Sequence, residues 1–205
     1  TVQFIRHGWI ERNRILKPGD GWQYISVPLV KHKRETNICD LQIRNDEDWK
    51  GRIIRQLAHY KKSARYFEQT VSLVENCLKL ETDSVVELNV RCLQLVCEYL
   101  DIGFDYIVWS SSNLQIGSVD NPGQWALRIS EALNASEYVN PTGGAELFDA
   151  AEFRASEVKL TFMGNNLTPY DQGRGVFEPG LSIVDALMFN SKEAVISKIS
   201  EVSKT

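Results

Sequence analysis

The residues best suited to chemistry lie near the start of the chain. Arg12 and Arg14 flank Asn13, and His7 and Trp9 come shortly before them. A guanidinium group holds a phosphate or carboxylate through two parallel hydrogen bonds. We therefore take Trp9, Arg12 and Arg14 as candidates for binding a substrate or anion, and His7 and Asn13 as candidate catalytic residues. The competing interpretation is an edge strand whose charges deter pairing with other chains.

A second candidate follows a predicted strand at residues 104–109. Ser110 and Ser111 begin a polar stretch there. In open parallel sheets, ligands bind beyond the carboxyl ends of the strands, and hydroxyl groups at that place can bind a phosphate or a sugar. Serine is equally typical of turns and helix caps, so a plain turn explains the same residues.

A third candidate follows the short strand predicted at residues 136–140. Asn140 precedes Gly143 and Gly144, where a helix over residues 145–155 is predicted to begin. A helix N-terminus presents free N–H groups to an anion, and glycine lets the backbone approach a ligand closely. The segment is neither a Walker loop nor a dinucleotide fingerprint. A glycine turn that leads into a helix is therefore an equal alternative.

Ser182 is the last candidate for ligand binding. Ser182 and Asp185 have the spacing of a capping box, with aspartate in place of the usual glutamate. A serine nucleophile would need a base, and no histidine is close to it in the sequence. The favoured interpretation is a helix cap that satisfies free backbone amides.

The hydrophobic pattern predicts the elements that position these residues. Two β-branched and aromatic stretches flank a turn of proline and glycine, which predicts a hairpin over residues 4–30. Apolar residues recur at intervals of three and four over residues 49–102, which predicts three helices. The third helix would be capped by Asp83 or Ser84 and would end at Gly103.

Beyond this helical segment, strands and helices alternate. Strands predicted at 104–109, 136–140 and 158–163 enclose helices predicted at 124–133 and 145–155. This order is typical of an α/β fold with a parallel or mostly parallel sheet and flanking helices, as in Rossmann-like proteins. Two further helices, separated near Asn190 and Ser191, end the chain. We expect one α/β domain over residues 1–205, with an N-terminal hairpin and residues 49–102 as a helical insertion.

Composition limits the classes of function. Of the 205 residues, 43% are hydrophobic and 24% are charged, as in a folded globular protein rather than a disordered one. A net charge of −4 argues against broad nucleic-acid binding, which needs a basic face. The four cysteines lack metal-ligand spacing, so we expect no metal and interpret them as reduced thiols in the cytoplasm. No apolar stretch is long enough for a membrane-spanning helix.

Several stretches together resemble the WbqC-like family of bacteria. They are VQFIRHGWIERNRIL, WQYISVP, HYKKSARYF, EYVNPTGGAELFD and FEPGLSIVDALMFN, which follow one another over residues 2–190. The most specific parts are the arginine–asparagine–arginine run, the asparagine–proline–x–glycine–glycine segment and the proline–glycine–leucine–serine segment. Family members begin with a further strand and an aromatic, proline-containing segment. The resemblance therefore implies that this sequence lacks one strand–helix unit at its N-terminus.

The resemblance implies a role in O-antigen and other surface polysaccharide biosynthesis. The implied reaction transfers an acyl or aminoacyl group, such as glycyl, from a small acyl or amino-acid donor to the amine of a nucleotide-linked amino sugar. ATP would be required if the acid is first adenylated. This agrees with a likeness to nucleotidyltransferase-like enzymes, which rests on fold alone.

Two other functions are alternatives to this reaction. The first is a non-catalytic nucleotide-sugar-binding or assembly protein of the same pathway. The second is an RNA-binding module that uses Arg12, Arg14 and the basic residues 31–34, which the net charge opposes. A limited contact with aminoacyl-tRNA stays open, and the sequence does not indicate the oligomeric state.

Overall fold

The computed structural model describes residues 2–164 and 168–201. These residues fall into two compact units. The first contains residues 2–106 and 168–197, and the second contains residues 107–164 with 198–201. The single domain over residues 1–205 and the additional N-terminal strand–helix unit stay predictions.

The first unit begins with the predicted β-hairpin. Strand β1, Arg12–Leu16, pairs antiparallel with β2, Trp22–Ser26. The turn between them places Gly19 and Gly21 at φ angles of 83° and 80°, which glycine adopts without the steric cost of a side chain. The hairpin is confirmed, with shorter strands than the apolar pattern indicates.

Three helices follow, as predicted. They are α1, Trp49–Leu57, α2, Phe67–Leu78, and α3, Val85–Tyr99. The predicted end at Gly103 is wrong, because the chain leaves the helix at Leu100, which is buried in the core. Asp101 then adopts the left-handed conformation, with φ at 51°, which aspartate tolerates better than most residues.

Ser84 caps α3, since its hydroxyl oxygen accepts a hydrogen bond from the Glu87 N–H at 3.2 Å. We expect Ser84→Ala to lower the free energy of unfolding by about 1 kcal/mol, because it removes this acceptor. Urea denaturation measures the change. The control is Ser72→Ala, at an exposed position inside α2, where alanine is the better helix former. Equal stability of the Ser84 variant and the wild type would contradict the cap.

The second unit is built on a parallel pair of strands. Its elements are α4, Gln124–Ala132, β3, Glu137–Pro141, α5, Ala150–Ala155, and β4, Lys159–Met163. Strands β3 and β4 lie side by side in parallel, with Val139 opposite Thr161. Phe153 on α5 is buried and packs with Leu127 and Val158 in this unit's own core. The predicted helix at 124–133 and the strands at 136–140 and 158–163 are confirmed.

The predicted strand at residues 104–109 is wrong. Residues 104–108 belong to no strand or helix, and Tyr106 and Ile107 are 46% and 57% exposed. A strand of a parallel sheet is normally covered on both faces, and these side chains are not. A short apolar run alone does not separate a buried strand from an exposed connection. Among the described residues the fold is mixed α/β, with one hairpin and one parallel pair, and a full Rossmann-like sheet is not observed.

The chain ends in two helices, as predicted. They are α6, Ile183–Phe189, and α7, Lys192–Ser200, with the break at Asn190 and Ser191. Met188 on α6 is fully buried in the core of the first unit, together with Ile15 and Leu57. Within residues 2–164 and 168–201, every helix is too short or too polar to cross a membrane.

Candidate functional site

Arg14 lies against two tryptophan rings at the start of the first unit. Its guanidinium carbon is 5.0 Å from the ring centres of both Trp9 and Trp22, a distance at which a cation is attracted to the face of an aromatic ring. The Nε atom of Arg14 is buried and has no hydrogen-bond partner among the described residues. Trp9 is 56% exposed and Trp22 is 36% exposed. We call Trp9, Arg14 and Trp22 the arginine–tryptophan face.

The segment before α6 packs directly on Arg14. The Ser182 N–H donates to the Arg14 carbonyl at 2.8 Å. Gly180 has a φ of 68°, and a Cβ atom there would lie 3.1 Å from Nη2 of Arg14. Glycine therefore serves two purposes at this position, since it allows the left-handed backbone and the close approach of the guanidinium. Two segments that are distant in the sequence meet at this face.

The Arg12 side chain is bonded to the loop that precedes β1, and the catalytic role of His7 stays a prediction. The Arg12 Nε donates to the Gly8 carbonyl at 3.1 Å, and its Nη2 donates to the His7 carbonyl. The guanidinium carbon also lies 4.1 Å from the Tyr24 ring centre. His7 has a φ of 66°, which is uncommon for a residue with a side chain. Arg12 therefore holds the loop that carries Trp9, whereas the Nε of Arg14 has no partner among the described residues.

Asn13 and Ser182 satisfy backbone amides beside the face. The Asn13 Oδ1 accepts from the Arg14 N–H at 2.8 Å. The Ser182 hydroxyl oxygen accepts from the Val184 N–H at 3.2 Å, which confirms the helix cap. The second hydrogen bond of a capping box, from the Ser182 N–H to the Asp185 side chain, is not formed, because the Asp185 side chain is buried and bonded elsewhere.

An apolar cavity of about 510 Å³ lies in the first unit. Trp9, Glu11, Arg12 and Asn13 line it, together with aliphatic side chains of α2, α3 and α6. Small-molecule sites are commonly of this size, with mostly apolar walls and a few polar groups. Trp9 belongs both to the cavity and to the arginine–tryptophan face, so the two features are continuous.

The two serine candidates lie in the second unit. Ser110 and Ser111 belong to a short 3₁₀ turn, Trp109–Ser111. The Ser111 hydroxyl donates to the Val108 carbonyl at 3.3 Å, and Ser110 is exposed. The geometry of Ser111 is that of an ordinary turn.

Asn140, Gly143 and Gly144 also lie in the second unit. The Asn140 Oδ1 accepts from the Tyr138 hydroxyl at 3.0 Å. A Cβ atom on Gly144 would lie 2.7 Å from the Asn140 Nδ2, whereas nothing lies within 4 Å of a Cβ on Gly143. A side chain at residue 144 would therefore require the Asn140 amide to move.

The helix predicted over residues 145–155 begins later than expected. Residues Thr142–Leu147 form a 3₁₀ helix, and α5 begins only at Ala150. Asp149 starts α5, because its side chain accepts from the Ala151 N–H at 2.8 Å. The two glycines therefore do not lie at the N-terminus of an α-helix, and the anion site at these residues stays a prediction.

Comparison with protein-family profiles shows to which family the chain belongs. The profile of the WbqC-like protein family matches residues 1–197. The chain belongs to the WbqC-like protein family. The match spans the hairpin, the segment before α6 and both units. Comparisons with curated proteins and with solved structures found no match.

In this WbqC-like chain, sequence reasoning missed a buried polar network. The Asp185 carboxylate accepts hydrogen bonds from the Tyr60 hydroxyl at 2.5 Å, the Tyr170 hydroxyl at 2.6 Å and the Gln172 amide at 3.0 Å. The Leu16 N–H donates to the Tyr60 oxygen at 2.8 Å. The network thus ties β1 to α6 and to the segment before it. The available signal was an aspartate on the apolar face of a predicted helix.

Burial raises the pKa of Asp185, and the hydrogen bonds donated by Tyr170, Tyr60 and Gln172 act in the opposite direction. Burial also raises the pKa of both tyrosines. The network lies in the interior of the first unit, where Asp185 is 0% and Gln172 is 2% exposed. The network therefore has a structural role, since it holds β1, α6 and the segment before α6 together, and we call it the Asp185 clamp. Among residues 2–164 and 168–201, no group of three histidine, cysteine or acidic side chains is placed to hold a metal.

Proposed function

We propose that the arginine–tryptophan face binds a nucleotide-linked amino sugar. We propose further that the protein transfers an acyl or aminoacyl group, such as glycyl, to the amine of that sugar. The observation that carries the proposal is Arg14, whose guanidinium lies against Trp9 and Trp22 with a buried N–H that has no partner among the described residues. A guanidinium group matches the oxygens of a diphosphate, and an exposed indole stacks on a sugar or base.

Membership of the WbqC-like family supports the pathway in which we place this reaction, the biosynthesis of bacterial surface polysaccharides in the cytoplasm. The donor would be a small acyl compound or an amino acid. ATP would serve as the activating cofactor if the acid is adenylated, and aminoacyl-tRNA is the alternative source of an aminoacyl group. These assignments rest on what the family resemblance implies.

The variant Arg14→Ala tests the binding step. We expect at least about tenfold weaker binding of UDP-glucosamine, because a hydrogen-bonded charge contact contributes about 1.5–3 kcal/mol. Isothermal titration calorimetry measures the affinity. Arg14→Lys should give an intermediate loss, since lysine keeps the charge but not the planar fork.

The matched control is Arg65→Ala. Arg65 is an exposed arginine of the same unit, and its guanidinium carbon lies 5.6 Å from the Tyr66 ring centre. This variant should bind like the wild type. Equal affinities of the wild type and both alanine variants would contradict a ligand site at Arg14.

A second function is a non-catalytic nucleotide-sugar-binding or assembly protein. The observation in its favour is that the Ser182 hydroxyl, which would be a nucleophile only with a base beside it, caps α6 and so has a structural role. Incubation of the protein with ATP, glycine and UDP-glucosamine, followed by mass spectrometry, separates the two functions. A product heavier by one glycyl group supports transfer. Binding without product across a panel of amino acids and acyl thioesters supports the binding protein.

A further inference from the structure

Three buried side-chain atoms have no hydrogen-bond partner within the described part of the chain. They are Oε2 of Glu11, Nε of Arg14 and Nε2 of His59. A buried polar atom without a partner costs about 1–3 kcal/mol, so each one calls for an explanation. Glu11 and Arg14 are three residues apart in the segment that forms the candidate site. Their charges are opposite, which limits the kind of ligand that satisfies both.

Glu11 lies at the entry to β1, where its backbone is fixed. Its carbonyl accepts from the Val27 N–H at 2.7 Å, and Glu11 is one of the residues that line the apolar cavity. Leu73, Val74 and Leu88 line the same cavity, and aliphatic side chains of this kind offer a carboxylate no hydrogen bond. The Oε2 atom is shielded from water, and the attraction of a shielded oxygen to a cation is less screened than in water. The group that suits this place is a ligand cation that donates hydrogen bonds.

Trp9 connects the two unpartnered groups. It lines the cavity with Glu11, and its ring centre is 5.0 Å from the Arg14 guanidinium carbon. A ligand that lies along Trp9 is therefore close to the Arg14 guanidinium and enters the cavity that Glu11 lines. A nucleotide-linked amino sugar carries the complementary pair, since its diphosphate is negative and its free amine is positive.

We infer that Glu11 recognises the free amino group of the sugar ligand. This inference rests on the proposed function, because it assigns the amine end of the same ligand. Acylation of the amine removes its positive charge and two of its N–H donors, so the product of the transfer loses its attraction to the carboxylate. Glu11 is thus a specificity-determining residue that favours the substrate over the acylated product.

Two commercially available ligands test the contact between Glu11 and the amino group separately from the rest of the site. UDP-glucosamine has a free amine, whereas UDP-N-acetylglucosamine carries the same nucleotide and sugar with the amine acylated. The wild type should bind the free amine at least about tenfold more tightly, as for a hydrogen bond to a charged group. Glu11→Gln should reduce this ratio to near one while it keeps the affinity for the acetylated sugar. Calorimetry gives both affinities for each protein.

The control variant is Glu35→Gln, at an exposed position in a loop of the same unit, which should keep the wild-type ratio. Thermal unfolding of each variant confirms that it is folded. A ratio near one in the wild type, or a preference unchanged in Glu11→Gln, overturns the role of Glu11 and leaves the site at Arg14 standing. Failure of the wild type to bind either ligand overturns the proposed function, and the inference with it.

Discussion

Replacing Asp185 by alanine should lower the free energy of unfolding by at least about 3 kcal/mol. The carboxylate is 0% exposed and accepts hydrogen bonds from Tyr60, Tyr170 and Gln172. Its removal leaves three donors without this acceptor, on the buried Tyr60 and Gln172 and on the half-buried Tyr170, and opens a small cavity among them. Each of these effects alone is destabilising, and they act at a point where β1, α6 and the segment before α6 are joined.

Urea denaturation of a variant series measures this network. Tyr60→Phe should cost about 2 kcal/mol, since it removes one donor to Asp185 and the acceptor of the Leu16 N–H. The control is Asp20→Ala, at an exposed position in the hairpin turn, which should change stability by less than about 0.5 kcal/mol. A cost for Asp185→Ala as small as that of the control would contradict the clamp.

Replacing Gly123 by alanine should destabilise the second unit by about 3 kcal/mol or more. A Cβ atom at this position would lie 1.8 Å from the carbonyl oxygen of Leu147. The obstacle is backbone rather than the end of a flexible side chain, so no change of rotamer relieves it. The residue before α4 and the end of the 3₁₀ helix must therefore separate to admit a methyl group.

Hydrogen exchange of the backbone amides measures which elements lose stability in Gly123→Ala. The amides of α4 and of strands β3 and β4 should exchange faster in Gly123→Ala, because these elements share one small core. Gly103→Ala is the matched control, since nothing lies within 4 Å of a Cβ on Gly103. Unchanged exchange in the second unit of Gly123→Ala would show that the two backbone segments are not packed together.

The elements predicted correctly from the sequence are those whose signals are local. The hairpin has its turn glycines between two β-branched stretches, and α1, α2 and α3 have apolar residues at helical spacing. The parallel pairing of β3 and β4 follows from an intervening helix. The prediction of a strand at 104–109 was wrong because the burial of such a strand depends on neighbours that the local pattern does not reveal. Tyr106 and Ile107 are exposed instead.

The candidate site likewise depends on contacts that the local sequence pattern does not reveal. The sequence predicts that Arg12 and Arg14 are equivalent, but two N–H donors of Arg12 bond to the carbonyls of His7 and Gly8, whereas the Nε of Arg14 has no partner among the described residues. That difference depends on the path of the preceding loop, which no residue pattern specifies. Nor does the pattern indicate that Asp185 bonds to Tyr60, which is distant in the sequence. Long-range hydrogen bonds of this kind appear only once the core is assembled.

The most direct test of the binding site is the NMR spectrum of the indole N–H groups. The chain has five tryptophans, and single replacements by phenylalanine assign their signals. On titration with UDP-glucosamine, we expect the signals of Trp9 and Trp22 to shift. The signal of Trp49 should not move, because this residue is buried and its indole N–H donates to Asn45 at 3.0 Å. Loss of the shifts in Arg14→Ala would support the arginine–tryptophan face as the site. Unmoved signals of Trp9 and Trp22 in the wild type, at ligand concentrations that calorimetry shows to be saturating, would contradict it.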